Sequence, residues 1–567
     1  MKNWVLKGCK DDLAALSNEL KINPLLIKIM LNREIEKDKM KSLFENEICN
    51  INSYSNLSDI IKAIRIIKKH IDERKKIRIV GDYDADGICS TSILYLGLKE
   101  LGANVDYSVP NREKDGYGIN ENIVKKAYED GIDLIITCDN GIAAFEAMNY
   151  AKNELGMNII ITDHHNIPIE NNIPRLPVAD AIVNPKLGDY PFQSICGAFV
   201  AYKLIEAIHN EYNIDFINKK DLMILAGVAT VCDIMPLLDE NRILVKYVID
   251  NIKDTKIIGL KKLIEKSGIK YENIGVYSFG FIIGPILNSS GRLEDASLGI
   301  ELLITSDESR ATEIAEKLKE LNYKRQLLTN EAVDKSEDYI TNNKLYKDKV
   351  MCLLLEGVHH SIAGIVAGRI LNKYYKPVLV FIPNEEGKIV GSGRSIEEYD
   401  LFSELSAIKE LFIKFGGHRQ AAGFTAEYDK FSEINKRLND NCKLKDDLLP
   451  TIYIDAILEF RYINVELIRL ISGLEPFGEK YPIPKFATQN IKINRYYRIG
   501  SEKQYLRLEL KQGDNILTGL VFNNVDKMDE ILDSNKNIDI VYTLQINEWN
   551  GITTPQLLIE DFRCANN

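Results

Sequence analysis

Between residues 58 and about 240 the chain alternates short apolar runs with longer amphipathic stretches. Ile77 to Val80, 134–137 (LIIT) and 158–162 (NIIIT) have strand length, while 58–75 (SDIIKAIRIIKKHIDERK) has helical spacing. Such alternation predicts βαβ units, with a parallel sheet covered by helices on both faces. Residues 305–342 are highly charged, yet Ala311, Ile314, Leu318 and Leu321 recur at spacings of three and four. That predicts a connecting helix packed along one stripe, with Thr305 and Glu308 fitting a capping box at its start. A second α/β pattern follows, with apolar runs at 351–357 and 376–383 and a helix near 400–415. From about 450 the period shortens to two, in TIYIDAILEF, QYLRLEL and IDIVYTLQI. Asn550-Gly551 there is a strong hairpin signal, and a stretch of roughly 110–120 residues suits an OB-like barrel.

The expected architecture is α/β throughout its first two large domains. A helical segment (1–55) precedes a parallel-sheet domain (56–304), a connecting helix (305–342), a second α/β domain (343–447) and a β-barrel (448–567). The length of 567 residues accommodates them. With 45% hydrophobic and 27% charged residues, wholesale disorder is excluded. The longest apolar run, Leu222 to Leu238, is broken by Asp233, so no membrane span is expected. The first ten residues lack the apolar core of a signal peptide. Nine cysteines, an odd number with no CxxC pair, point to reduced thiols and a cytoplasmic protein. A net charge of −11 argues against a surface coated for nucleic acid. Phosphate contact is made by a local groove, however, and some of the acidity can be metal-binding carboxylate.

The chemistry concentrates where apolar runs end. Ile77 to Val80 leads into Gly81-Asp82-Tyr83-Asp84-Ala85-Asp86-Gly87, which places three carboxylates at the carboxyl end of a strand. In an open α/β sheet that edge binds ligands, and crowded anions repel one another unless a cation sits among them. A calcium loop begins similarly, but it needs a Glu where Ile93 stands and a helix where this chain has a strand. Asp139 follows LIITC, Asp163, His164 and His165 follow IIIT, and Asp233 interrupts an apolar stretch where an unpaired charge would be costly. Each alone reads as a cap or an ion pair; together they favour a metal cluster. Oxygen and imidazole ligands suit manganese, magnesium or zinc, with manganese favoured. So many carboxylates suggest two ions, about 3.5–4 Å apart, with Asp139 the candidate bridge. Cys89, Cys138 and Cys232 lie beside these motifs and read as small buried hydrophobes rather than thiolate ligands.

GDYDADG, CDNG, TDHHN and VCDIMPL resemble the four motifs of the DHH phosphoesterase superfamily. EGVHHSIAGIVAGRI, GSGRS and FGGHRQAAG resemble its DHH-associated substrate-binding domain. PNREKDGYG, GPILNSSGRLEDA and LEPFGEKYPIPKF are similar to segments of the RecJ single-stranded-DNA exonucleases. The resemblance implies a DHH domain, a DHH-associated domain and an OB-like domain. It implies 5′-to-3′ hydrolysis of single-stranded DNA to mononucleotides, in repair and recombination, with manganese or magnesium. It assigns Asp84, Asp86, Asp139, His164 and Asp233 to the metals, with Asp82 in or beside the shell. Asp139, Asp163, His165 and His418 become the catalytic candidates. The family's alternative metal-side His is replaced by Val80, and Val358 stands where an aromatic is common.

Arg292, Arg394 and His418 are candidates for spreading phosphoryl charge, and Asn288 and His359 line the same motifs. Arg292 has a rival reading as an ion pair with Glu294 or Asp295. Gly416-Gly417 reads either as a phosphate approach or as a helix stop. Arg112, Ser392 and Arg394 suit a 5′-terminal phosphate. Arg495 and Tyr497, in RYYR, are either a strand-binding patch or a half-buried strand end. Single-stranded DNA is the implied partner, a helicase or single-strand-binding protein a further one, and a monomer is expected. Competing readings are a DHH enzyme for short oligoribonucleotides or cyclic dinucleotides, a non-catalytic DNA-binding relative, and a pyrophosphatase. The barrel argues against the first and last, and the filled metal motifs argue against the second.

Overall fold

The computed structural model describes residues 2–45, 48–111, 116, 118–170, 173–214, 216–445, 448–534 and 537–565. They form two compact units: Asn52–Met235 with Val248–Leu448, and Met1–Ile51 with Pro236–Tyr247 and Leu449–Asn567.

The first unit holds two five-stranded sheets. One has five parallel strands, ordered Asn104–Ser108, Lys76–Val80, Leu134–Cys138, Asn158–Thr162 and Ala181–Val183. Leu134–Cys138 is buried at every position, as a strand covered on both faces should be. The chain starts at Lys76–Val80, steps outward to Asn104–Ser108, then returns to pair Leu134–Cys138 on the other side. The strand order therefore reverses between Lys76–Val80 and Leu134–Cys138, and ligands of open α/β sheets bind at that switch point. All three expected runs are strands, and the expected helix at 58–75 spans Ile60–Asp72.

The charged connector is one helix, Glu308–Asn343, and Ala311, Ile314, Leu318 and Leu321 are buried on its stripe. Its cap corrects the expectation. Asp307, not Thr305, accepts from the amides of Ser309 and Arg310, at 2.8 and 3.2 Å. A carboxylate caps as well as a hydroxyl and also meets the positive end of the helix dipole.

The second sheet runs Lys414–His418, Ala421–Glu427, Lys388–Arg394, Val378–Pro383 and Met351–Leu354. The helix expected near 400–415 covers only Leu401–Ser406. The following residues form an edge strand, so Gly416-Gly417 is not a helix stop. Gly417 sits at φ 151°, and a Cβ there would lie 2.3 Å from the Ala421 carbonyl oxygen. Only glycine allows the two strands to pair this closely.

In the other unit five long strands close into a barrel. Phe486–Ile499, Tyr505–Gln512, Asn515–Val521, Ile552–Cys564 and Ile538–Trp549 pair in that order, and the last pairs back to the first. Asn550 and Gly551 have φ of 50° and 76°, the hairpin turn their sequence signals. Two expectations are corrected here. The amino-terminal segment is not only helical: Asn3–Leu6 is a strand, paired parallel to Thr451–Ile454. TIYIDAILEF consequently sends only Ala456–Ile457 to the barrel sheet. Leu26, Ile27, Ile29 and Met30 share one core with Phe486, Leu508 and Tyr542 of the barrel. Among the described residues no helix is long and apolar enough to cross a membrane.

Candidate metal centre

The strand Lys76–Val80 ends in Gly81, and Asp82, Tyr83 and Asp84 form the turn into the helix Ala85–Glu100. Asp84 is that helix's cap, one carboxylate oxygen accepting from the amides of Asp86 and Gly87 at 3.1 and 3.0 Å. Asp86, in the first turn, is buried and accepts from the amides of Gly197 and Ala198 at 2.7 and 2.8 Å. Those amides open the helix Gly197–Tyr212, so its positive end fixes a carboxylate in the site.

Asp139 follows Leu134–Cys138 with φ 61°, in the left-handed region that a non-glycine residue seldom occupies. A Cβ on Gly197 would stand 2.7 Å from the Asp139 Cβ. Asn140 fastens the same turn, donating to the carbonyls of Val80 and Cys138 and accepting from the Ile119 amide. Cys138 points away, with its sulfur 3.4 Å from Thr91 Oγ1 and burial raising its thiol pKa to about 12, as a buried hydrophobe rather than a ligand.

His164 Nε2 lies 3.1 Å from Asp139, 3.6 Å from Asp86 and 3.6 Å from Asp233. Burial lowers its pKa to about 4, which leaves a neutral imidazole with a lone pair to offer. Asp233 does not end a strand. It caps the carboxyl end of the helix Lys219–Cys232, where the dipole disfavours an anion.

Donor atoms fall into three overlapping triads, each within 4.8 Å: Asp82, Asp84 and Asp139; Asp139, His164 and His165; Asp86, His164 and Asp233. Burial, then the charges of the neighbouring aspartates, raises Asp139 and Asp233 well above the usual carboxylate range. Burial also raises Asp86, with His164 opposing. Five mutually repelling carboxylates, one at the wrong end of a helix, fit a divalent cation in donor type and in charge.

The remaining candidates separate by what they touch. Asp163 is turned inward: one oxygen accepts from the amides of His164 and His165 and meets His165 Nδ1 at 2.7 Å, while the other accepts from the Ile142 amide. Burial opposes its charge, but the bond to His165 prevails and lowers its pKa to about 2. Burial likewise opposes charge on His165, and the same bond raises its pKa to about 9. His418 lies on the edge strand of the second sheet; burial lowers its pKa, and the charges of His165 and Lys186 add to that. Asn288 accepts from the Ala85 amide at 2.7 Å, so its side chain braces the turn that carries Asp82 and Asp84. Arg292 donates to the Ser361 carbonyl at 2.8 Å, and Glu294 is paired instead with Lys317. His359 Nδ1 meets Ser361 Oγ at 2.7 Å. Arg394 donates to Ser392 Oγ at 3.0 Å, and a Cβ on Gly364 would lie 2.8 Å from its guanidinium. This Ser–Arg pair therefore lies against the start of the helix Ala363–Tyr374. Gly416 has open space where a side chain would be. Arg495 and Tyr497 lie on the barrel strand Phe486–Ile499, and Tyr497 is half exposed. Arg112 lies outside the described residues.

Sequence reasoning missed three residues. Lys186 donates to the His164 carbonyl at 2.6 Å, Asn184 donates to the His165 carbonyl, and Gly197 backs Asp139. The signal for the first two was AIVNPK, a short apolar run ending in polar residues like the other strands.

Known proteins match this chain along nearly its whole length. Residues 76–231 match the DHH family N-terminal domain, 347–444 the DHHA1 domain and 454–561 the RecJ OB domain. The single-stranded-DNA-specific exonuclease RecJ of Haemophilus influenzae is 34% identical, covering 96% of this chain and 97% of its own. That of Bacillus subtilis is 33% identical, covering 97% and 69%. The crystal structure of RecJ in complex with Mn2+ from Thermus thermophilus superposes with a TM-score of 0.84 at 25% identity, over 100% of this chain and 80% of that one. The chain belongs to the RecJ family of single-stranded-DNA-specific exonucleases.

Proposed function

We propose that the chain hydrolyses single-stranded DNA from its 5′ end to mononucleotides, as a monomer with two divalent ions, Mn2+ favoured and Mg2+ also accepted, in repair and recombination. The observation that carries the reading is the convergence of Asp82, Asp84, Asp86, Asp139, His164 and Asp233 on one switch point, in triads that share Asp139 and His164. Sharing is what a two-ion site requires, and Asp139 would be the residue common to both ions. Divalent ions held there supply the positive charge and Lewis acidity that phosphodiester cleavage needs.

The side chains do the rest. His165, aimed by Asp163, carries a proton at Nε2 towards the leaving 3′ oxygen. His418 and Arg292 face the phosphoryl oxygens. Ser392 and Arg394, with Arg112, hold the terminal phosphate through charge-assisted bonds. Arg495 and Tyr497 hold the trailing strand by charge and stacking.

A time course on strands labelled at either end, with added Mn2+, tests this. Mononucleotides released from the 5′ end by wild type, and none by Asp139→Ala or under EDTA, are expected. Release from the 3′ end, or undiminished cleavage under EDTA, overturns it. Removing the 5′ phosphate should weaken wild type more than Arg394→Ala; equal sensitivity counts against Arg394 as its holder.

A further inference from the structure

Tyr277 and Phe281 are 68% and 70% exposed, and their rings stack at 4.9 Å between centroids with planes 18° apart. Two large rings left in water forgo the burial that ordinarily places such side chains inside. They lie on one continuous helical rod, Val276–Ser278, Phe279–Ile283 and Gly284–Leu293. Its middle turn is wide, of the i to i+5 kind, a local irregularity that recurs at functional sites. Phe279 and Ile283 face the core, which leaves Tyr277 and Phe281 on the open side.

The rod runs along the metal centre. A Cβ on Gly291 would lie 2.3 Å from the Tyr83 carbonyl oxygen, Asn288 braces Ala85, and a Cβ on Gly284 would lie 2.7 Å from Cys232 Sγ. These contacts fall beside Asp82, Asp84 and Asp233 in turn. The next turn outward carries Phe281, and the one after it Tyr277. Arg292, at the other end, belongs to the phosphate-facing group.

We propose that Tyr277 and Phe281 form a stacking platform for bases of the single strand as it leaves the metal centre. This rests on the exonuclease reading above. Parallel rings open to solvent accept the flat faces of nucleobases, and stacking ignores base identity, as an enzyme that removes every nucleotide requires. The eleven residue-to-residue steps from Phe281 to Arg292 span about 16 Å at ~1.5 Å each. At ~3.4 Å per stacked nucleotide the platform meets the strand about five nucleotides from the Arg292 end.

The test compares KM and kcat for a 5′-phosphorylated 16-mer and a dinucleotide, in wild type, Tyr277→Ala/Phe281→Ala and Phe281→Trp. In wild type the 16-mer should have a far lower KM than the dinucleotide. The double variant should lose that advantage by about tenfold or more, with kcat on the 16-mer kept, and Phe281→Trp should retain it. A 16-mer with abasic sites at positions four to seven should have the raised KM in wild type. An unchanged advantage in the double variant, or an abasic strand bound as tightly as the normal one, overturns the platform. A wild type that degrades neither substrate overturns the exonuclease reading instead.

Discussion

Asp86 commits both carboxylate oxygens to the amides that open the helix Gly197–Tyr212, and the same glycine leaves room for Asp139. One residue therefore sets two of the proposed ligands, so Gly197→Ala should weaken Mn2+ binding by about 10–100-fold, read by calorimetric titration. Wild-type affinity in that variant would count against this role. In the proposed mechanism Asp163 acts through His165, which it meets at 2.7 Å. Asp163→Asn should lower kcat by about 10–100-fold with KM and bound metal nearly unchanged, since such a supporting partner orients rather than ligates. Asp86, Asp139 and Asp233 have pKa values raised by burial, and metal-free protein holds protons that the unfolded chain releases. Their cost to folding is absent at low pH and grows as pH rises through the raised values. The gain in Tm on adding Mn2+ should then grow as pH rises above the ordinary carboxylate range of about 4; a gain that does not grow with pH would contradict this. The aspartates were legible because each closes an apolar run, where a charge needs a reason. Gly197 was not, since its reason is a neighbour far away in the chain, and Asn184 and Lys186 had only the short run AIVNPK to mark them.

Whole elements were easier to read where period and burial agree. Leu134–Cys138 and Asn158–Thr162 are each built on an unbroken apolar run of three residues, and the alternation before Asn550-Gly551 needs only a two-residue turn. Lys414–His418 was not legible as a strand, because KFGGH has little strand propensity and is held by pairing with Ala421–Glu427. The connector's start was misplaced by two residues because Ser, Thr and Asp compete to cap. Asp307→Ala should cost about 1 kcal/mol locally, seen as faster amide exchange in the first turn of Glu308–Asn343, and Thr305→Ala should cost less. Equal effects would restore the hydroxyl as the cap.

At the scale of the molecule, the sequence announced a barrel but not what completes it. Strand Asn3–Leu6 and the helix Pro24–Leu31 reach it from the opposite end of the chain, and no local pattern records so distant a contact. Pro236–Tyr247 joins them: Arg242 donates to the carbonyls of Glu475 and Pro476 and lies over the Tyr481 ring at 4.8 Å. Removing residues 1–40 should leave the barrel open to limited proteolysis while Mn2+ binding persists; a barrel that resists digestion would refute that dependence.

A core drawn from both ends of the chain bears on how the protein is born. As the ribosome releases the chain, residues 2–51 emerge early, yet apart from the short stretch Pro236–Tyr247 the partners of their buried face begin only at Leu449. At ~5–20 residues per second they wait on the order of 20–80 s with Ile27, Ile29 and Met30 uncovered, a window in which a nascent-chain chaperone has an apolar target that the finished enzyme no longer presents.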